Sequence, residues 1–227
     1  MTDPADLPES HRDHLGRAHH LDLERLGGGD ANWDKRYADA EHLWSGEPNG
    51  ALVAEISDLQ PGAALDVGCG EGADAIWLAS RGWRVMAIDV STTALQRAAA
   101  AAERSHAEVN WTLAGLLDAP LLRSGFDLFS AMYPALLHTP DHDGERRLIG
   151  AVAPLGHLLV VHHADVDIEQ AKAHGFDPTD YVSVGDVALL LDEDWQVALD
   201  ERRPRSVHAG AGAGHSHDIV LHAQRLS

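Results

Sequence analysis

The chain has 227 residues, enough to bury the core of one α/β domain with a short extension. Its 17 Lys+Arg against 36 Asp+Glu give a formal net charge of -19, which repels phosphate backbones and anionic membrane surfaces and argues against both as partners. A single cysteine, Cys69, excludes an intramolecular disulfide and fits a reducing compartment. No apolar run reaches the length of a membrane span, and the first 17 residues hold no apolar segment, so the cytoplasm is the expected location.

Residues 1–30 are expected to form a flexible, histidine-containing tail, with Pro4, Pro8 and the run 27–30 interrupting any helix beyond a short one at 14–26. Residues 31–44 have helical spacing, with Trp33, Tyr37 and Ala40 on one side, and a loop follows over 44–50. An amphipathic helix at 52–59 stops at Pro61-Gly62. A regular alternation then begins. Strands are expected at 63–67, 83–89, 109–113, 126–131 and 158–162. Helices fall between them at 73–81, at 91–104 with Ser91 as cap, and at 145–152 ended by Pro154 and Gly156. A further helix at 184–191 and closing strands at 195–201 and 218–225 complete the chain. The pattern predicts a Rossmann-like, doubly wound and mostly parallel sheet with helices on both faces. Residues 31–227 form the domain, and 31–60 form its N-terminal helices and covering segment.

The run Leu65-Asp66-Val67-Gly68-Cys69-Gly70-Glu71-Gly72 follows a predicted strand and opens a predicted helix, the context that makes a glycine loop credible. Glycines let the backbone turn sharply and let a ligand approach closely. Asp89 ends the next strand, where an acid can take both hydroxyls of a ribose. Ala73 even satisfies the loose form of the nicotinamide-dinucleotide fingerprint, but charge separates the two readings. A dinucleotide would lay an anionic pyrophosphate against Asp66 and Glu71. S-adenosylmethionine carries an ammonium and a sulfonium and no phosphate, so these carboxylates suit it. Cys69 serves as a small residue in a crowded loop, since no activating base is placed beside it.

Residues 65–98 closely resemble the cofactor-binding half of class I S-adenosylmethionine-dependent methyltransferases. The run 68–75, with Trp77-Leu78-Ala79 after it, is similar to the subgroup that includes tellurite-resistance and thiopurine methyltransferases. Trp33-Asp34-Lys35-Arg36-Tyr37 and Trp44-Ser45-Gly46-Glu47-Pro48-Asn49 resemble the segment that covers the cofactor in that subgroup, and 126–133 resembles its fourth strand. The resemblance implies a seven-stranded sheet whose last strand is antiparallel. It also implies S-adenosylmethionine as cofactor, with contacts from Asp66, Gly68, Cys69, Gly70, Glu71, Gly72, Asp89, Val90, Ala131, Tyr37 and Trp44. One departure stands out: Gly115 occupies the place where many relatives carry an adenine-binding carboxylate, and Asp118 is the candidate substitute.

Tyr133 and His138 follow the fourth strand at the carboxyl edge where open sheets bind ligands, and are the expected catalytic pair for a small-molecule methyl acceptor, a thiol or metalloid among them. A metalloid oxyanion would draw its positive charge from protonated His138 or His162. The 16 histidines cluster, with His11, His14, His19 and His20 near the start and His208, His215, His217 and His222 near the end. Their spacing matches no zinc template, so no metal site is expected. Two rival readings stay open: a nicotinamide-dependent oxidoreductase, and a non-catalytic histidine-rich binder of metal or metalloid on the same fold. The acceptor's identity and the oligomeric state are not legible in these residues.

Overall fold

The computed structural model describes residues 30–173, 177–205, 210 and 214–227. The expected tail and its helix at 14–26 lie outside the described residues apart from Asp30, as does His208.

Two helices precede the sheet: α1 (Asp30–Ala38) and α2 (Gly50–Ile56), the second capped by the Asn49 side chain, which accepts from the Ala51 N–H. Then come β1 (Ala63–Val67), α3 (Ala73–Ser80), β2 (Arg84–Asp89), α4 (Thr92–Ser105), β3 (Val109–Leu113) and β4 (Phe126–Met132). The second half holds α5 (Asp143–Ala151), β5 (Val152–His163), α6 (Ile168–Ala173), a 3-10 turn (Pro178–Asp180), α7 (Val184–Leu189), β6 (Trp195–Pro204) and β7 (His217–Arg225). The strands form one seven-stranded sheet in the order β3-β2-β1-β4-β5-β7-β6. β1 to β5 run parallel, and β7 lies antiparallel between β5 and β6. This is the Rossmann-like architecture that the strand–helix alternation predicts. No helix among the described residues is long and apolar enough to cross a membrane.

Each face of the sheet buries its own apolar layer, as parallel strands require. On one face Leu65, Phe129, Leu158, Val160 and Leu221 pack against Leu148 of α5 and Val184 and Val187 of α7. On the other, Val85, Leu128, Leu159, Val161 and Val220 pack against Leu52 and Ile56 of α2 and Leu78 of α3. The alternation within β5 therefore fixes which way its terminal histidines face. His162 follows Val160 to the α5/α7 side, and His163 follows Val161 to the α2/α3 side.

Four elements differ from the sequence reading. The helix expected over 31–44 stops at Ala38, because the Arg97 guanidinium takes the carbonyls of Tyr37 (2.9 Å) and Ala40 (2.6 Å) that further helix would have used. β5 begins at Val152 rather than 158. Its pairing with β4 jumps from Phe126↔Val152 to Leu128↔His157, so Pro154 and Gly156 sit in a bulge instead of ending an element. The short α6 and the 3-10 turn gave no periodic signal.

Phe129 is fully buried at the centre of the sheet. Phe129→Ala should lower the unfolding free energy by about 3–5 kcal/mol, the cost of lost transfer energy plus a cavity, read from urea denaturation midpoints at unchanged slope.

Candidate functional site

β1 delivers residues 68–72 to its carboxyl edge, where Gly68, Gly70 and Gly72 take φ values of 69°, 52° and 85°. The loop is crowded on two sides and open on the third. A Cβ on Gly72 would stand 2.7 Å from the Trp111 ring, and one on Gly70 would stand 2.7 Å from the Tyr37 hydroxyl. A Cβ on Gly68 would meet nothing within 4 Å. The Gly70 N–H donates to Asp89 Oδ2 (2.8 Å), and the Ser91 N–H donates to Asp89 Oδ1 (2.9 Å). The carboxylate that ends β2 thus orients the loop that follows β1.

Four carboxylates gather around this loop. Asp66 is buried, its Oδ1 accepts from the Ser130 hydroxyl (3.3 Å), and its Oδ2 has no partner. Burial, with the Asp74 and Asp89 carboxylates nearby, pushes the Asp66 carboxyl well above the usual range. Burial also pushes Asp74, in the first turn of α3, up to about 6, against a 2.6 Å hydrogen bond from the Asn49 N–H. Glu71 Oε2 accepts from the N–H groups of Leu43 (3.2 Å) and Trp44 (3.1 Å), while its Oε1 pairs with Arg97 (3.0 Å). Burial beside these acids holds the Cys69 thiol well above its ordinary value, which fits an inert packing role.

The N-terminal segment lies directly over the loop. The Trp44 indole N–H donates to the Tyr37 hydroxyl (2.8 Å) above Gly70, and Tyr37 is 3% exposed. Asp34 reaches across to α4, accepting from the Ser91 hydroxyl and the Thr93 N–H at 2.8 Å each. Beyond Asp89, Val90, Thr112, Ala114, Gly115 and Asp118 line a cleft of about 450 Å³. Gly115, where the resemblance leads one to expect an adenine-binding carboxylate, lies in its wall, and Asp118 borders it. A larger cleft of about 980 Å³ lies at the amino ends of β2 and β3, around Gly82, Arg84 and Glu108, away from the loop. Ala131 is fully buried within the sheet, paired with Val67 and Val160, so its side chain faces the core.

The structure separates Tyr133 from His138. Tyr133 Oη donates to Asp218 Oδ2 (3.0 Å) and accepts from the Asn49 side chain (3.0 Å), and its ring stacks on His163 at 4.1 Å. His138 sits on the other face, its two ring nitrogens each 3.6 Å from a carboxylate, Glu145 and Asp186. His162 cannot supply the positive charge expected of it: burial pushes it down to about 4, and its Nε2 is buried without a partner. Three arginines of the second half are used internally. Arg147 donates to the carbonyls of Leu116 and Ala119, Arg203 pairs with Glu55 and Glu201, and Arg205 approaches Asp218 (3.6 Å). Among the described residues no group of three or more His, Cys, Asp or Glu is arranged to hold a metal ion. Asn49, Asp74 and Arg97 were not among the expected residues. The cap position of Asn49 was readable before Gly50, but its partners lie 25 and 84 residues away.

Residues 64–155 match a family model described as a methyltransferase domain. An uncharacterized methyltransferase of Mycobacterium tuberculosis is 37% identical over 112 residues, which is 49% of this chain and 55% of that protein. The chain thus matches about half the length of the curated relatives. Two solved structures share the fold. One, from work on the conversion of a disulfide bond into a thioacetal group during echinomycin biosynthesis, aligns with a TM-score of 0.68 at 23% identity over 86% of this chain and 92% of its own. The other, a 1,6-didemethyltoxoflavin-N1-methyltransferase of Burkholderia thailandensis with its substrate and S-adenosylhomocysteine bound, gives 0.60 at 16% identity over 100% of this chain and 94% of its own.

Two outcomes follow from this geometry. Arg97→Ala should free residues 37–46 from α4, so that their amides exchange at least about tenfold faster while β1 and β2 keep their protection, measured by hydrogen–deuterium exchange. The second concerns acid stability. The unfolded chain takes up a proton on His162 near pH 6.5 and the folded chain only near 4. The contribution of His162 is therefore fully present above pH 6.5 and is lost as pH falls through that window, by up to about 3 kcal/mol. His162→Leu should flatten the fall in urea stability between pH 6.5 and 4 by that amount.

Proposed function

We propose that this chain, whose residues 64–155 match the methyltransferase-domain family, is a class I methyltransferase that uses S-adenosylmethionine and acts on a small molecule. The observation that carries the reading is the set of four carboxylates, Asp66, Glu71, Asp74 and Asp89, around an open glycine turn, with one buried oxygen of Asp66 lacking a partner. That surrounding suits a ligand with an ammonium and a sulfonium and opposes the pyrophosphate of a dinucleotide.

In this reading Gly68 and Asp66 receive the amino-acid end of the cofactor, Asp89 the ribose, and the cleft between Val90, Gly115 and Asp118 the adenine. Bound there, the cofactor supplies an electrophilic methyl group on a positively charged sulfur. The protein's own work is positioning and exclusion of water. Gly70 and Ser91 hold the Asp89 carboxylate in one orientation. Tyr37 and Trp44, locked to each other and to Glu71 and Arg97, cover the loop, so 33–49 acts as the lid of a domain spanning 31–227, while α2 behind it packs into the core.

The acceptor is a neutral or cationic small molecule, with thiols first. The net charge of -19 and the internal use of Arg147, Arg203 and Arg205 disfavour nucleic acid and membrane surfaces. A metalloid oxyanion is disfavoured as well, since His162 stays neutral and His138 lies between two carboxylates. The solved methyltransferase that binds 1,6-didemethyltoxoflavin supports the size class. The tellurite-resistance and thiopurine subgroup is carried by the sequence motif at 68–79.

Titration calorimetry tests the donor. S-adenosylmethionine and S-adenosylhomocysteine should bind and NAD should not. Asp89→Ala should weaken both by about 1–3 kcal/mol, the scale for losing hydrogen bonds to a charged group. Unchanged affinity in a folded Asp89→Ala protein defeats the ribose assignment. Incubation with tritiated donor should label small thiols and spare RNA and DNA at physiological salt; the reverse pattern overturns the acceptor class.

A further inference from the structure

One cluster at the carboxyl edge of the sheet is not explained by cofactor binding. Tyr133 just after β4, His163 at the end of β5, Arg205 just after β6 and Asp218 near the start of β7 converge there with Asn49 and His215. We propose that His163 and Asp218 form the base that takes the acceptor's proton, with His163 Nδ1–H directed at Asp218 and Nε2 presented to the acceptor. The assignment rests on the methyltransferase reading above and deepens it.

The geometry leaves few alternatives for these two groups. Asp218 is 4% exposed. Its Oδ2 is taken by the Tyr133 hydroxyl (3.0 Å), with Arg205 Nε at 3.6 Å. Its Oδ1 and His163 Nδ1 are both buried without another partner and lie 3.4 Å apart, each the other's natural mate. Distances of this order are common for catalytic pairs without substrate and shorten when the site fills. The ring plane of His163 is fixed from both sides, by Tyr133 at 4.1 Å and by His215 at 3.7 Å and an interplanar angle of 9°. His215 is held in turn by Asp165 (3.1 Å), which accepts from the N–H and hydroxyl of Ser216 at 2.7 Å each. A slotted imidazole can offer a ligand only its edges. With Nδ1 on Asp218, the opposite edge carries Nε2, and 18% of the side chain remains exposed.

Position supports the role. His163 lies on the sheet face that carries the N-terminal segment, and Asn49 joins the two sites. Its N–H donates to Asp74, directly after the glycine loop, and its side chain donates to Tyr133. Tyr133 holds a left-handed backbone (φ 54°), pinned by a 2.8 Å hydrogen bond from its N–H to the Val161 carbonyl, the kind of local strain that clusters at working sites. His138, the histidine singled out by sequence position, is less suited to be the base because both its nitrogens face carboxylates.

The groups that face His163 are Tyr133, Asp165 through His215, Arg205, His215 and Asp218. Burial lowers its proton affinity, as do the charges of His215 and Arg205, while Asp218 works the other way. The imidazole is therefore neutral near pH 7 and ready to accept. In the step itself the acceptor's X–H bond breaks and its proton goes to Nε2, giving an imidazolium whose Nδ1–H stays on Asp218. The electron pair left on X forms the X–CH3 bond as the S–CH3 bond breaks, and that bond's pair remains on sulfur and cancels its charge. A neutral imidazole is matched to acceptors that ionise somewhat above neutral pH, so the class is alkyl thiols and phenols.

Two readouts on the full chain test this. Nitrogen-15 NMR of labelled imidazoles at pH 7.5 should show His163 as the Nδ1–H tautomer, and Asp218→Asn should switch it to Nε2–H; an Nε2–H tautomer in the wild type overturns the proposal. The second readout is methyl transfer from tritiated S-adenosylmethionine to 2-mercaptoethanol, largely protonated at pH 7.5, and to thiophenol, largely ionised there. His163→Gln should lower kcat for 2-mercaptoethanol by about 10²–10⁴-fold, leave the donor KM within about twofold, and leave transfer to thiophenol within about threefold. Equal losses for both thiols would reduce His163 to a packing role, and no loss for either would remove it from the reaction; each result overturns the proposal. Donor binding without transfer to either thiol also overturns it while leaving the donor assignment standing. No donor binding by calorimetry defeats the methyltransferase reading, and the base assignment falls with it.

Discussion

The interaction on which the site depends is the Asp89 carboxylate at the end of β2, which accepts the backbone N–H of Gly70 with one oxygen and that of Ser91 with the other. It ties the turn after β1 to the cap of α4, and charged hydrogen bonds of this kind are stronger than neutral ones. Once that turn is set, Gly72 fits beneath Trp111 and Ala98, Asp66 points inward, and the first turn of α3 presents Asp74. The chemistry is thus concentrated in a few residues whose backbone is oriented by a side chain 19 residues further along the chain.

A second hub builds on the first. Glu71, inside the turn, gathers two backbone N–H groups from the N-terminal segment and one arginine, and that arginine takes two carbonyls from the same segment. A segment with little apolar burial of its own beyond Tyr37 is held by polar groups that would otherwise compete for water. Its hold on the turn is therefore specific in geometry and modest in energy, which is what a covering element needs if it is to open.

Most of the fold was legible because strands and helices alternate in order, and a parallel strand buried on both faces leaves a continuous apolar run, as at 158–162. What the sequence hid were relations at long range. Pro154 and Gly156 read as a stop, yet they form a bulge, since a strand partner can absorb extra residues that local propensity treats as breaks. The helix at 31–44 read too long because Arg97, some sixty positions on, satisfies the carbonyls that end it. The glycine loop and Asp89 were visible as a pattern of strand, turn, helix and acid. The meeting of Tyr133, His163 and Asp218 was not, since it depends on β7 inserting antiparallel beside β5, a topological fact without a local signature.

The aromatic pair above Gly70 has a thermodynamic consequence. Tyr37 and Trp44 fill the space that a ligand approaching that glycine would need, so binding there must first draw on molecules in which the pair has moved aside. The observed dissociation constant is then the intrinsic one divided by the fraction of molecules already open. Substitutions far from any ligand contact, in Arg97 or Asp34, would tune affinity simply by changing that fraction, and the same ligand would be held tightly or loosely by an unaltered pocket.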